Sequence, residues 1–164
     1  MRFTISGAAF PSTLLQGVQG KEVKFTGADM SKGRIGGESQ LAGADFTNVT
    51  MKQASFRDSN LSGADFTGAV IEASMLENCD MQEVNLTGVS AKRTRFSKSN
   101  LERAKMSGLN LFLGSLRKAR LVETDLSRSN LFGVDFYKAV MGKTILGEAN
   151  LKRTLIHKRT EYLK

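Results

Sequence analysis

The sequence predicts an all-β, four-sided β-helical solenoid. Three observations carry that reading. An apolar residue recurs at every fifth position from Phe46 to Ile156 without a break. A small residue recurs two positions before each of these centres. The other three positions of each five are mostly polar, charged or Gly. A period of five fits neither an amphipathic helix at 3.6 nor a strand at 2, and a coiled coil needs 3.5. On a helix a strict five would walk the apolar stripe around the axis and bury nothing. The pattern needs a backbone that turns once per five residues, sending one large and one small side chain inward. Four such sides close a square coil of twenty residues, and stacked coils bond through β-ladders.

The elements follow in chain order. Ile5, Phe10 and Leu15 keep the spacing, while Gly20 breaks it. Residues 1–20 are therefore expected to form a degenerate first coil or cap, with Pro11 at a corner or edge. Phe25, Met30 and Ile35 continue the period, but the next centre, Leu41, lies six beyond Ile35. The extra residue falls near Gly36-Gly37, a pair suited to a bulge. From Phe46 to Ile156 all 23 centres are apolar, and only Ala91 is small. The position two before each centre, from Ala44 to Thr154, holds Ala eight times, Ser, Val and Thr four times each, and Cys79, Gly114 and Leu109 once each. Repeats are expected over 21–156, and residues 157–164 form a short tail.

Ala44-Asp45-Phe46, Ala64-Asp65-Phe66, Ser99-Asn100-Leu101, Ser129-Asn130-Leu131 and Ala149-Asn150-Leu151 resemble the A(D/N)LXX consensus of pentapeptide-repeat proteins. The resemblance covers about 21–156. It implies a right-handed quadrilateral β-helix. Seven to eight coils spaced by about 4.8 Å give a rod on the order of 35 Å long. The resemblance also implies end-to-end pairing of two copies through the C-terminal end. Val140, Ile145 and Leu155 at outward positions, with Tyr162 and Leu163 in the tail, would serve that contact or lie under the tail.

Composition bounds the setting. A chain of 164 residues suits one domain. The single cysteine, Cys79, excludes a disulfide framework and suits a reducing compartment. No apolar run approaches a membrane span, and the start is too polar for a secretory signal. A cytoplasmic protein with no membrane partner is expected. The formal net charge of +8 is uneven. Residues 1–91 carry 7 Lys/Arg against 10 Asp/Glu, and residues 92–164 carry 17 against 6. That asymmetry points to an anionic partner for the basic half.

No catalytic constellation emerges. The one histidine, His157, lies past the last repeat with no partner to activate. Cys79 occupies an inward small slot and reads as an inert buried thiol. No Cys/His set has zinc spacing. Asp45, Asp65 and Asn85 form a column explained by the consensus. Gly33-Arg34-Ile35-Gly36-Gly37 lacks the Lys-Ser/Thr of a phosphate loop. No catalytic residue, cofactor or metal is expected.

Residues twenty apart share a column. Lys52, Glu72 and Lys92 alternate in sign, and Asn110, Asn130 and Asn150 make an Asn ladder. Phe56, Leu76, Phe96, Leu116, Phe136 and Ile156 are expected to build a Phe-rich inner wall. Two outer columns differ from the rest. Lys92, Phe112, Phe132 and Lys152 place two rings outside, with Leu113 beside them. Lys98, Lys118 and Lys138 stack like charges, which is unfavourable. Arg95, Arg117, Arg120 and Tyr137 adjoin that column. The combination of an aromatic cluster and a basic rim is expected to bind a partner.

The family resemblance implies protection of type II topoisomerases by an acidic mimic of duplex DNA. Mimicry demands negative charge where phosphates would lie, and the basic half argues against it. The expected function is a rigid protein-interaction module. The ending Ala149–Leu155 resembles repeat modules found beside type VI secretion components, which implies an accessory of a larger bacterial assembly. Electrostatic binding of nucleic acid by the basic half is the alternative.

Overall fold

The computed structural model describes residues 4–20 and 22–154. The chain winds as a right-handed quadrilateral β-helix, the hand that parallel β crossovers take. Four short strands, β1 (Leu14–Gln16), β2 (Arg34–Gly36), β3 (Ser55–Arg57) and β4 (Met75–Glu77), form one parallel sheet in that order. The other sides pair through single parallel bridges, such as Asp45↔Asp65 and Asn110↔Asn130. Register advances by twenty from Leu15↔Ile35, then by twenty-one at Ile35↔Phe56, then by twenty again at Phe56↔Leu76. The chain absorbs the extra residue at Gly37 and Glu38, both at positive φ. Ser39 Oγ closes this bulge by donating to Gly36 O at 2.7 Å.

Each five-residue unit repeats one set of bonds. The residue before the centre bridges to the coils on either side: Phe46 N donates to Asp65 O at 2.7 Å, and Asp65 N donates to Ala44 O at 3.0 Å. Asp or Asn suits this position because its Oδ1 accepts the N–H two residues on. Asp45 does so from Thr47 at 2.9 Å and Asp135 from Tyr137 at 2.8 Å. Burial pushes the Asp45 carboxyl up. Bonds from Thr47 and Thr26 and the charge of Lys24 outweigh it, leaving the group below its ordinary value.

The corner lies two residues past each centre, and there the backbone takes positive φ. Lys98 is at 63°, Lys118 at 56° and Lys138 at 56°. A left-handed corner crowds the Cβ, most of all a branched one. From Asn48 to Arg153 this position holds no Val, Ile or Thr. Gly, Ala, Asn, Asp and longer side chains unbranched at Cβ fill it, and Lys, Arg and Glu among them send charged arms out from the corners.

The interior is apolar and filled. Centres such as Phe46, Met81 and Leu111 are fully buried. Phe25, Phe46 and Phe66 stack face to face, with centroids 4.8 and 4.7 Å apart. Phe56 meets Phe46 edge-on at 5.8 Å. The expected wall of Phe56, Leu76, Phe96, Leu116 and Phe136 is buried as well. In it leucines alternate with the rings, so the face-to-face ring stack lies in the Phe25–Phe46–Phe66 column instead. Ile156 lies outside the described residues.

The small inward slot accepts hydroxyls because the coil beneath offers a carbonyl. Ser99 Oγ donates to Leu76 O at 2.7 Å and accepts from Cys79 N at 3.0 Å. Thr124 and Ser129 bond the carbonyls of Leu101 and Met106 at 2.7 Å. No buried side-chain N or O among the described residues lacks a partner. Cys79 fills the same slot, and burial pushes its thiol up to about 11.

Two predictions follow from this packing. Phe46→Ala removes the middle ring of a buried stack and should cost about 3–5 kcal/mol. Phe112→Ala, on the outside, should cost under about 1 kcal/mol. Urea unfolding midpoints compare the two. Cys79 should resist iodoacetamide at pH 8 in the native protein and alkylate fully in denaturant, because little thiolate forms below its raised pKa.

Candidate docking surface

Two adjoining sides of the rod and the corner between them carry the candidate surface. On the first side, Phe112 and Phe132 occupy the outward position just after the centres Leu111 and Leu131. The rings stack at 5.2 Å with 15° between their planes. Arg153, from the next coil, lies over Phe132 at 5.6 Å. Both Phe are half-buried, because stacking covers part of each ring. Leu113 follows at the corner and is 45% exposed. It leans across the coil above: a Cβ on Gly133 would stand 2.6 Å from Leu113 Cδ2. Gly133 thus makes room for Leu113 beside the two rings.

The second side holds the basic residues. Its far corner carries Lys98, Lys118 and Lys138 in one exposed column. No ion pair among the described residues reaches these three. Lys138 Nζ lies 5.3 Å over the Tyr137 ring. The three arginines expected to act with them are engaged locally. Arg95 pairs with Glu77 at 3.0 Å, Arg117 with Asp135 at 2.7 Å and Arg120 with Glu102 at 2.7 Å. The Arg120 bond is the main reason the Glu102 carboxyl lies below its ordinary value. Arg117 also stacks on Tyr137 at 4.5 Å. The structure therefore splits the expected basic residues into an unpaired lysine column and a partly neutralised arginine set.

Other charged columns neutralise themselves. Glu72 lies between Lys52 at 4.0 Å and Lys92 at 3.6 Å. A bond from the Ser90 hydroxyl at 2.8 Å and these two cations hold its carboxyl below the usual range. One side further round, the corner column Glu83, Arg103, Glu123, Lys143 alternates strictly. Arg103 reaches Glu83 at 3.0 Å and Lys143 reaches Glu123 at 3.4 Å. The Asn ladder is bonded, Asn130 to Asn110 and Asn150 to Asn130, each at 3.2 Å. No other column among the described residues stacks three like charges in succession.

Between Leu113 and the lysines, Ser97 and Ser115 of successive coils face each other at 3.3 Å, with Arg117 and Tyr137 above Ser97 in its column. A surface hollow of about 320 Å³ lies on the N-terminal side of Ser97, lined by Arg57, Asp58, Glu77, Asn78, Ser97 and Lys98. The sequence reading missed this hollow, Arg153 and the role of Gly133.

Val140 and Ile145 are exposed, at 52% and 53%, near the C-terminal end. Leu155, Tyr162, Leu163 and His157 lie outside the described residues. Among the described residues no group of three or more His, Cys, Asp or Glu is placed to hold a metal. No helix among them is long and apolar enough to cross a membrane.

Comparison with known proteins agrees with this geometry. A family model described as a pentapeptide repeat region matches residues 38–106, and one for pentapeptide repeats in eight copies matches 115–153. Comparison with curated proteins finds no match. Among solved structures, a trypsin-treated form of QnrB1, a plasmid-mediated fluoroquinolone resistance protein, is similar with a TM-score of 0.73. The match covers 99% of this chain and 95% of that one at 15% identity, a likeness of fold. A pentapeptide repeat protein from the thylakoid lumen of Arabidopsis thaliana is 28% identical over 59% of this chain and 65% of its own, with a TM-score of 0.37. With an unbroken five-residue period, a square coil built on it and family models spanning more than half its length, the chain belongs to the pentapeptide-repeat family.

Proposed function

We propose that this chain is a non-catalytic docking module, and that its partner binds across the corner between Phe112 and the lysine column. One observation carries the reading. A stacked Phe pair lies one side away from a column of three lysines that no ion pair among the described residues reaches, while the columns Lys52–Glu72–Lys92 and Glu83–Arg103–Glu123–Lys143 neutralise themselves. An apolar centre with a charged rim is how protein contacts are commonly built, and buried aromatic anchors carry most of their energy. The rigid coil presents these groups without an ordering cost at the backbone.

A DNA-mimic role toward type II topoisomerases needs an acidic face, and this face is basic. Electrostatic binding of nucleic acid is the second reading, favoured by Lys98, Lys118 and Lys138 alone. The narrower role of accessory to a bacterial assembly such as a type VI secretion system rests on the repeat resemblance and the ending Ala149–Leu155. Pairing of two copies through Val140 and Ile145 is compatible with docking at the corner, which lies on the side of the rod.

The docking reading predicts that Phe112→Asp/Phe132→Asp loses proteins that the wild type recovers from lysate. Circular dichroism should show both forms folded. Recovery of the same proteins by both would remove the Phe pair from the contact. The nucleic-acid reading predicts a mobility shift at low salt that weakens steeply as salt rises, and that Lys98→Glu/Lys118→Glu abolishes.

A further inference from the structure

The corner's own geometry narrows the class of partner, an inference that rests on the docking reading above. We infer that the face takes an acidic protein segment that sets a large apolar side chain against the Phe edges and carboxylates along the lysine column.

The first ground is which part of the rings is offered. Phe112 and Phe132 cover one face each at 5.2 Å, and Arg153 lies over the other face of Phe132. Three of the pair's four ring faces are thereby taken. Single-stranded nucleic acid binds aromatic side chains by stacking bases on ring faces, and here only one face, on Phe112, is left for a base. The ring edges make up the rest of the outward aromatic surface. Edges carry the positive part of the aromatic quadrupole, so they favour carbonyl or carboxylate oxygens and tolerate apolar groups.

The second ground is charge. The edges and the three lysines share one sign, and among the described residues no ion pair reaches the lysines. In the sign-alternating column one side away, Glu83 and Glu123 answer Arg103 and Lys143. The missing anions at Lys98, Lys118 and Lys138 are the complement an acidic segment would supply.

The third ground is spacing. Leu113 stands at one corner of this side and the lysine column at the next corner, and each corner column runs along the rod axis. Column neighbours recur at about 4.8 Å, while carboxylates three and four apart on a helix recur at about 5–6 Å. Flexible lysine arms absorb the difference. An amphipathic acidic helix laid along the axis can therefore meet both corners at once.

The test uses the full chain and two fluorescent probes in anisotropy titrations. One is a helical peptide with Leu on one face and Glu at i, i+3 and i+4 beside it; the other is oligo-dT of equal charge. The expected result is saturable peptide binding at moderate salt, with oligo-dT weaker. Lys98→Glu/Lys118→Glu and, separately, Phe112→Ala/Phe132→Ala should each weaken the peptide at least about tenfold, or 1.4 kcal/mol. No peptide binding, binding indifferent to either pair of substitutions, or tighter binding of oligo-dT overturns the acidic-segment assignment. If that happens while Phe112→Asp/Phe132→Asp still loses its lysate partners, the docking reading stands and only the partner class falls. If the lysate partners are also unchanged, both fall.

Discussion

The corner at positive φ governs the rest of the structure. An apolar side chain can point inward every fifth residue only if the backbone turns sharply between centres. The residue two past each centre makes that turn in the left-handed region. A non-Gly residue there costs of order 1 kcal/mol. The cost is offset by burial of the centre and by ladder bonds to two neighbouring coils. The chain therefore accepts Lys, Arg, Glu and Leu at corners but no branched Cβ. This local rule decides where charged arms leave the rod. The columns Lys98–Lys118–Lys138 and Glu83–Arg103–Glu123–Lys143 stand at corners, and Lys52–Glu72–Lys92 adjoins one. Surface electrostatics here are a consequence of backbone geometry.

Much of the fold was legible in the sequence because its period is incompatible with helix or simple strand. Phe46, Phe66 and Leu111 had to point inward once the chain closed on twenty residues. The aromatic core was less legible. Phe25 and Phe46 are twenty-one apart, because the residue inserted at Gly37 and Glu38 lies between them, so a strict twenty-residue column separates rings that in fact stack at 4.8 Å. The hydroxyls of Ser99 and Thr124 were legible as small residues but not as donors to the coil beneath. That role depends on where the neighbouring carbonyl falls, which the period does not state.

The candidate surface was legible in part for the same reason. Column counting places Phe112 beneath Phe132 and Lys98 beneath Lys118 and Lys138, and the coil geometry puts them there. It cannot say which charges are answered sideways. Arg117 meets Asp135 and Arg120 meets Glu102 across eighteen residues rather than twenty. Those diagonal contacts follow from side-chain reach, so the arginines looked as available as the lysines. Nor does column counting give the lean of Leu113 over Gly133, which needs the positions of two side chains at a corner.

The stacked lysines do not by themselves imply a partner. Exposed like charges cost a few tenths of a kcal/mol per contact, which a stable rod tolerates. The interior offers a partner nothing to bind. Every buried polar side-chain atom among the described residues has a partner, and Cys79 is held as a thiol by burial. Along the described coils, a ligand therefore meets the outer sides. The side bearing Thr47, Thr67 and Thr87 spends hydroxyls within its own ladder, as Thr47 and Thr67 do on Asp45 and Asp65 at 2.7 and 2.6 Å. The side bearing Glu83 and Arg103 closes its charges on itself. The surface from Phe112 to Lys138 closes its arginines in the same way, Arg117 on Asp135 and Arg95 on Glu77, but leaves Leu113 and the three lysines exposed. It keeps apolar edges and cations facing solvent together, and that joint exposure, more than either feature alone, is what a binding partner would relieve.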